Sequence, residues 1–274
     1  MKVIRSGYYR YLRGPARRTQ NADMRLLVEV KALHNQSGKS YGSRRLSKAL
    51  QAHGYNVGRY RARTLMHKAN IECKQRRRFR VTTQSNHALA VADNKLNREF
   101  AVNMPNRAWV ADITYLWTQE GWLYVAVVLD LFSRRVIGWA LADHMREELA
   151  SEALSMAITK RHPCSQLMHH SDRGVQYASF GYQELLSKAG AIISMSRKGN
   201  CWDNAVMERF FGSLKTERTD GKNYLSRTQA KIDVIDYIER FYNSCRLHST
   251  LNYVSPMQYE KANQSLFNKV STFT

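Results

Sequence analysis

The sequence holds no run of eighteen apolar residues, which excludes a membrane-spanning helix. Its first residues, Met1-Lys2-Val3-Ile4-Arg5-Ser6-Gly7, lack the apolar stretch of a secretory signal, so the expected location is the cytoplasm. Cysteine is scarce, with four residues at 73, 164, 201 and 245. None forms a Cys-x-x-Cys pair, and no histidine pair stands near them at zinc-finger spacing. A disulfide framework or structural zinc is therefore not expected, and buried free thiols are. Sustained heptads are missing too, so no long coiled coil is built from this chain alone.

Acidic residues are scarce in one place. The chain carries 43 Lys and Arg against 22 Asp and Glu, a net charge of +21. Within residues 1–80, Asp23, Glu29 and Glu72 stand against 21 basic residues, so that stretch holds +18 and the remainder only +3. Such a block repels itself when compact and is relieved by a polyanion whose counterions are released on binding. The segment is not low-complexity, which separates it from a solubilising tail, and it carries helical patterning. Leu26, Leu27, Val30 and Leu33 recur at helical spacing over residues 24–34, with Asn21 and Asp23 as candidate caps. A second helix spans residues 43–53 and ends at Gly54; a third runs over residues 59–69. Two short helices joined by a glycine-bearing turn make a helix-turn-helix pattern. Arg59, Arg61 and Arg63 open its recognition helix, and Arg44 and Arg45 lie on the helix before. The connector that follows contains Arg76, Arg77 and Arg78, read as phosphate contacts or as a solvated charge run.

From Ala108 the period changes to two. Trp109, Ala111, Ile113, Tyr115 and Trp117 alternate with Val110, Asp112, Thr114 and Leu116, predicting a strand. A second strand over residues 122–132 is apolar throughout, as a strand covered on both faces should be. A third follows at 136–142. Then come a helix over 146–161, a strand over 166–169, a helix over 179–189, a strand over 192–195 and a helix over 205–218. This order, antiparallel at first and parallel later, predicts an α/β ribonuclease H-like integrase catalytic core. The expected domains are a basic helix-turn-helix-like DNA-binding unit at 1–74, a linker at 75–106, the core at 107–222 and a helical segment at 223–274.

Three acids stand out on this frame. Asp112 lies mid-strand among apolar residues, where an ionised carboxylate needs a cation to offset its burial. Asp172 follows a strand end, the edge at which α/β sheets present ligands. Glu208 lies one turn into the last core helix, and 35 residues separate it from Asp172. Lys215 follows Glu208 by seven residues, which returns it to the same helix face within about 20°. It is read as a phosphate contact or an ordinary exposed lysine. Asp203 or Asn204 is expected to cap the Glu208 helix, and Trp202 is a candidate to stack on a splayed base. His170 is read either as a water- or phosphate-positioning group or as a hydrogen-bonded structural histidine. Asp130 is expected in a turn.

The acid trio, with WVADITYL around Asp112, LDLFSRRVIGW from Leu129, HHSDRGVQYAS around Asp172 and GNCWDNAVMERFFGSLKTE around Glu208, resembles the DDE transposase and retroviral integrase superfamily. The four blocks in this order are similar to the OrfB-type transposases of the insertion-sequence-three family, and the likeness runs from Tyr41 to Pro256. The resemblance implies metal-dependent DNA 3′-end cleavage and strand transfer, with Asp112, Asp172 and Glu208 as catalytic and metal-binding residues. It implies two Mg²⁺ ions, for which Mn²⁺ substitutes, and a basic DNA contact at the Lys215 position. The implied partners are the element's terminal inverted repeats, target DNA, a second protomer and the upstream OrfA product, met as a subunit or an OrfAB fusion, all at a bacterial nucleoid.

Other functions stay open on the sequence. His170-Ser171-Asp172-Arg173 satisfies the His-x-x-Arg of a tyrosine recombinase, although the stretch from Cys201 to Gly221 has no tyrosine. A DNA-binding regulator or partner subunit without catalysis would use the basic arm and leave the acids unexplained. A simple ribonuclease H-like nuclease would hydrolyse without joining.

Overall fold

In the computed structural model the chain forms two compact units, Met1–Gln75 and Arg76–Thr274. Residues 4–12, 17–74, 91–163, 166–197 and 200–266 are described. Among them no helix is long and apolar enough to cross a membrane, and Cys73 and Cys245 are free thiols.

The first unit is helical: α1 (Arg5–Leu12), α2 (Arg17–Gln36), α3 (Ser43–Ala52) and α4 (Arg59–Lys68). Leu26, Val30 and Leu33 on α2 meet Leu46, Ala49 and Leu50 on α3 and Ala62, Leu65 and Met66 on α4 in the buried set, the stripe that helical spacing requires. The α3–α4 turn is closed by Gly54 at φ +85°, with Tyr55 N–H donating back to Leu50 O at 2.9 Å. That left-handed position favours glycine. Two expectations change here. The helix containing Met24 begins at Arg17, so Asn21 and Asp23 lie inside it rather than capping it. Asp23 instead pairs with Arg61 at 3.2 Å and Lys68 at 2.8 Å, fastening α4 to α2.

The second unit is built on one sheet of order β3-β2-β1-β4-β5. Its strands are β1 (Ala108–Thr118), β2 (Gly121–Asp130), β3 (Val136–Ala142), β4 (Met168–Ser171) and β5 (Ile192–Met195). The first three form an antiparallel meander, and β4 and β5 continue parallel to β1. Helices α5 (Glu147–Arg161), α6 (Val175–Ala178) and α7 (Phe180–Lys188) lie toward one face, where Trp109, Ala111, Val128 and Ile137 pack with Leu149, Leu154, Tyr182 and Leu186. On the other face Val110, Leu116, Val125 and Val127 pack with α8 (Ala205–Leu214) and α9 (Arg227–Asp236). The alternation of β1 thus divides its side chains between two cores. A further helix, α10 (Pro256–Ala262), carries a Ser255–Gln258 capping box.

Residues 91–106, which the sequence suggests as part of a connector, dock on this unit. Leu96 is buried, and Ser194 Oγ accepts from Lys95 and Leu96 N–H at 2.9 and 3.1 Å. Asp130, expected in a turn, is instead the last residue of β2, and its carboxylate accepts from Asn106 and Phe132 N–H at 3.1 and 3.0 Å, bracing the turn that follows. The strand expected at 166–169 sits two residues later, and α6 was not foreseen. The helix expected at 205–218 and the one that opens the C-terminal helical segment each change pitch. α8 passes into a π-helical turn at Lys215–Thr219, and α9 into another at Tyr237–Tyr242. Glu217 and Arg246 join these segments through a buried pair at 2.6 Å, with Tyr237 O–H donating to Glu217 at 2.8 Å.

Candidate active site

β1 and β4 run parallel with Val110 opposite His170. Two residues farther along each chain lie Asp112 and Asp172, so the register brings them level at the sheet edge where β4 has ended. Neighbouring strands are about 4.8 Å apart, which is the scale of the separation the backbone imposes. Asp172 Oδ1 accepts from Gly174 N–H at 2.9 Å, and Asp112 Oδ1 from Ile113 N–H at 2.8 Å.

Glu208 reaches the same region from α8. Met207, Phe210, Phe211 and Leu214 bury one side of this helix, leaving Glu208 on the exposed side. Its start is fixed to β1 by Asn204, whose side-chain N–H donates to Ala111 O at 3.3 Å, one residue before Asp112. Neither Asn204 nor Asp203 caps α8 through its side chain, contrary to expectation. Asp203 is buried and serves another purpose. Its carboxylate accepts from Arg197 at 2.9 and 3.0 Å, from Arg98 at 2.9 Å and from Asn94 at 2.8 Å. These partners, led by the Arg197 hydrogen bond, hold its pKa far below the usual carboxylate range. The pairs clamp the segment before α8 to residues 94–98, and nothing in local periodicity signals Arg98 or Arg197.

The acids share one electrostatic field. Burial first, then the charge of Asp172, pushes the Asp112 carboxyl well above its ordinary pKa; Glu208 adds to the rise, while Ile113 N–H and Lys215 oppose it. Lys215, at the start of the π-helical turn, has its ammonium 5.3 Å from the centre of the Tyr115 ring. Its pKa is lowered by burial, against the pull of Asp220 and Asp112. Among the described residues no three His, Cys, Asp or Glu side chains are drawn together closely enough to hold a metal as placed. Asp112, Asp172 and Glu208 offer carboxylate oxygens, the donor type that suits a hard divalent ion such as Mg²⁺.

The histidines are structural. His170 is buried between Ser194 Oγ at 2.9 Å and Ser196 Oγ at 3.2 Å, and burial lowers its pKa to about 4. Arg173 donates to Ser196 O at 2.6 Å, so the His-x-x-Arg pair is engaged in holding β4 to β5. Trp202 is exposed. Tyr177, not singled out in the sequence, is buried within the fields of Asp112 and Asp172.

In the helical unit Arg44, Arg59 and Arg63 are exposed. Arg45 is half-buried, 5.7 Å from the Tyr41 ring centre, and Arg61 is engaged by Asp23. Arg76, Arg77 and Arg78 lie outside the described residues.

Residues 102–201 match the Integrase core domain family, residues 208–266 a second family of that description, and residues 21–79 the HTH-like domain family. The "Insertion element IS600 uncharacterized 31 kDa protein" of Shigella sonnei is 44% identical over 259 residues, covering 94% of this chain and 95% of that protein. "Transposase InsF for insertion sequence IS3A" of Escherichia coli (strain K12) is 39% identical over 265 residues, covering 96% and 92%. Among solved structures, a simian T-cell lymphotropic virus intasome in complex with PP2A regulatory subunit B56 gamma aligns with TM-score 0.48 and 18% identity, over 84% of this chain and 73% of that one. The HTLV-2 integrase catalytic core domain in complex with magnesium aligns with TM-score 0.43 and 17% identity, over 57% and 97%. With its helix-turn-helix-like unit, its integrase core and these nearly full-length relatives, the chain belongs to the IS3 family of insertion-sequence transposases.

Proposed function

We propose that this transposase cuts DNA at the ends of its element and joins the freed 3′ end to target DNA, using Asp112, Asp172 and Glu208. The observation that carries this is the level placement of Asp112 on β1 and Asp172 just past the end of the parallel β4, with Glu208 in the same field. The three carboxylates are the residues that would hold two divalent ions. When bound, Mg²⁺, or Mn²⁺ in its place, supplies Lewis acidity at the attacked phosphodiester and lowers the pKa of the attacking hydroxyl or water.

The chain's own groups supply the rest. The half-buried Asp112 carboxylate and its neighbours set the negative field that selects a hard cation. Lys215, next to Asp112, is suited to receive a phosphate of the cut strand. The Asp203 clamp and the Asn204–Ala111 hydrogen bond keep α8, and so Glu208, from sliding along the sheet. The exposed Arg44, Arg59 and Arg63, with Arg76, Arg77 and Arg78, supply the phosphate contacts that bring element ends and target to the core. Arg45 and Arg61 join them less directly, because each already has an intramolecular contact. In this reading the chain works at the nucleoid in the bacterial cytoplasm, as a homo-oligomer that engages the OrfA product or is fused to it.

The test is Asp112→Asn, assayed with Mg²⁺ on labelled element-end DNA. Cleavage and joining are expected to be lost while DNA binding stays. Full activity in this variant would overturn the assignment, and trapping of the protein on a suicide substrate would favour covalent recombination through a tyrosine.

A further inference from the structure

The β1–β2 hairpin outruns its neighbours in the sheet: β3 pairs no nearer its tip than Tyr124, and β4 no nearer than Val110. On one face of its tip, Leu116 and Leu123 are buried and Tyr224 and Ala230 cover Leu123. The backbone is pinned from that side: Gln119 N–H donates to Tyr224 O at 3.0 Å, Arg227 N–H to Glu120 at 2.8 Å, and the Arg227 guanidinium to Trp122 O at 3.0 Å. The opposite face of the same tip is aromatic and open. Tyr115, Trp117 and Trp122 are 37%, 58% and 43% exposed. Trp122 meets Trp117 edge-to-face with ring centres 4.8 Å apart, and Tyr115 at 5.0 Å. A rigid backbone thus displays large rings that folding does not bury.

Lys215 links this surface to the acids. Tyr115 is three residues beyond Asp112 and so on the opposite face of β1, but the Lys215 ammonium, which feels the charge of Asp112, stands 5.3 Å from the centre of the Tyr115 ring. From Asp112 to Trp117 the strand rises about 17 Å, with Lys215 at the near end and Arg227 behind the far one. Rings set edge-to-face offer their faces to flat partners, and fixed cations beside them suit a polyanion. Aromatic platforms with flanking cations bind unpaired nucleic acid because every base has a face to stack. Protein partners also use exposed aromatic patches. Here the cation over Tyr115, which also lies in the field of Asp112, favours a DNA strand passing between them.

We propose that Tyr115, Trp117 and Trp122 form a stacking platform for unpaired bases of the DNA strand whose phosphodiester reaches Asp112. The platform rests on the proposed strand-cutting role for the identity of its ligand. Binding without metal, however, measures it separately from chemistry. It also gives the site a preference: DNA with splayed ends is held better than a blunt duplex.

The experiment uses the full chain without divalent metal and measures anisotropy of two labelled DNAs: a blunt duplex, and the same duplex with a six-nucleotide single-stranded overhang. Wild type is expected to bind the overhang DNA roughly tenfold or more tightly. Trp117→Ala/Trp122→Ala should lose that advantage, keep the blunt-duplex affinity and keep its thermal transition, while Trp117→Phe/Trp122→Phe retains most of it. Equal binding of the two DNAs by wild type, or an undiminished preference in the alanine variant, overturns the proposal. So does an alanine variant that dissociates to monomer in sedimentation yet keeps the overhang preference, since the face would then join two copies of the chain. If the platform fails while Asp112→Asn still abolishes cleavage, the active-site reading stands without it.

Discussion

Tyr177 and Tyr182 pack edge-to-face at 5.2 Å in one buried cluster, yet their hydroxyls differ. Tyr182 reaches His169 Nε2 at 3.0 Å, whereas the Tyr177 hydroxyl has no hydrogen-bond partner among the described residues. A buried hydroxyl left unpaired costs about 1–3 kcal/mol relative to water. Tyr177→Phe is therefore expected to leave the metal-free protein as stable as wild type, or more stable by about 1 kcal/mol. Urea unfolding checks this, and a clear loss of stability would mean that the hydroxyl is bonded after all. His169 gives a second expectation. Burial, helped by His170, lowers its pKa to about 3, against about 6.5 in an unfolded chain. Between those values the unfolded state takes a proton that the folded state refuses, so this histidine's contribution falls as pH falls, by about 1.4 kcal/mol per unit. Asp130 acts in the opposite sense: burial raises it to about 6, so its folded form keeps a proton that the unfolded chain loses above about 3.9, and its contribution fades as pH rises through that window. The two partly cancel near pH 5. The informative measurement is thus the difference between wild type and His169→Gln: as pH falls from 6.5 to 5, wild type should lose stability relative to the variant, at up to about 1.4 kcal/mol per unit. Parallel curves would show that His169 is protonated in the folded state.

At the scale of elements, the tightest constraint is where α5 crosses β3. A Cβ built on Gly138 would stand 2.1 Å from Ala153 O and 2.9 Å from Ala157 Cβ. The first of these is helix backbone, which cannot swing aside. Gly138→Ala should push α5 off the sheet and destabilise the core unit by about 3 kcal/mol, as overpacking does, read as a lowered thermal midpoint. A midpoint unchanged within a degree would show that the layers can separate freely. How much of this was legible from sequence depends on whether the cause was local. The strands Val136–Ala142 and Ile192–Met195 carry their own apolar and β-branched signal and fall where expected. Asp112 on one face of β1, among alternating neighbours, was equally readable. The strand at 166–169 shifted because its pairing with β1 and β5, not its composition, sets its limits. α6, at four residues, is too short to show a period. The change to π-helical pitch at Lys215 falls beside the buried Glu217–Arg246 pair, whose members are 29 residues apart and so beyond any local window. Asp203 looked like a cap by position. Two arginines from other segments claimed it, and an arrangement of that kind has no trace in a local window. The spacing of Asp172 and Glu208 could be read because the motif's blocks accompanied it, while the clamp that holds Glu208 could not.

For the whole molecule the question is how +21 charges are divided between folding and DNA. The helical unit keeps some for itself: Asp23 takes Arg61 and Lys68. Arg59 and Arg63, one step to either side of Arg61 on alternate positions of α4, are exposed. If those two meet phosphates, each releases about 0.9 counterion equivalents on binding duplex DNA. In the full chain, Arg59→Ala/Arg63→Ala should then flatten the plot of log affinity against log salt by about 1.8, with little effect on stability. Arg61→Ala should behave differently. It frees Asp23 from one partner, weakens the α2–α4 fastening by about 1 kcal/mol or less, as exposed pairs do, and changes the salt slope by less than one phosphate contact. Filter binding of a duplex at several salt concentrations, with thermal melting of each variant, separates these roles. Equal slopes for wild type and the double variant would remove α4 from the DNA surface and shift the burden to Arg44 and the basic run at 76–78. A full unit of slope lost in Arg61→Ala would mean that DNA breaks the Asp23 pair on binding. Binding would then loosen the very helix that reads it, and affinity would fall as the helical unit is made more rigid.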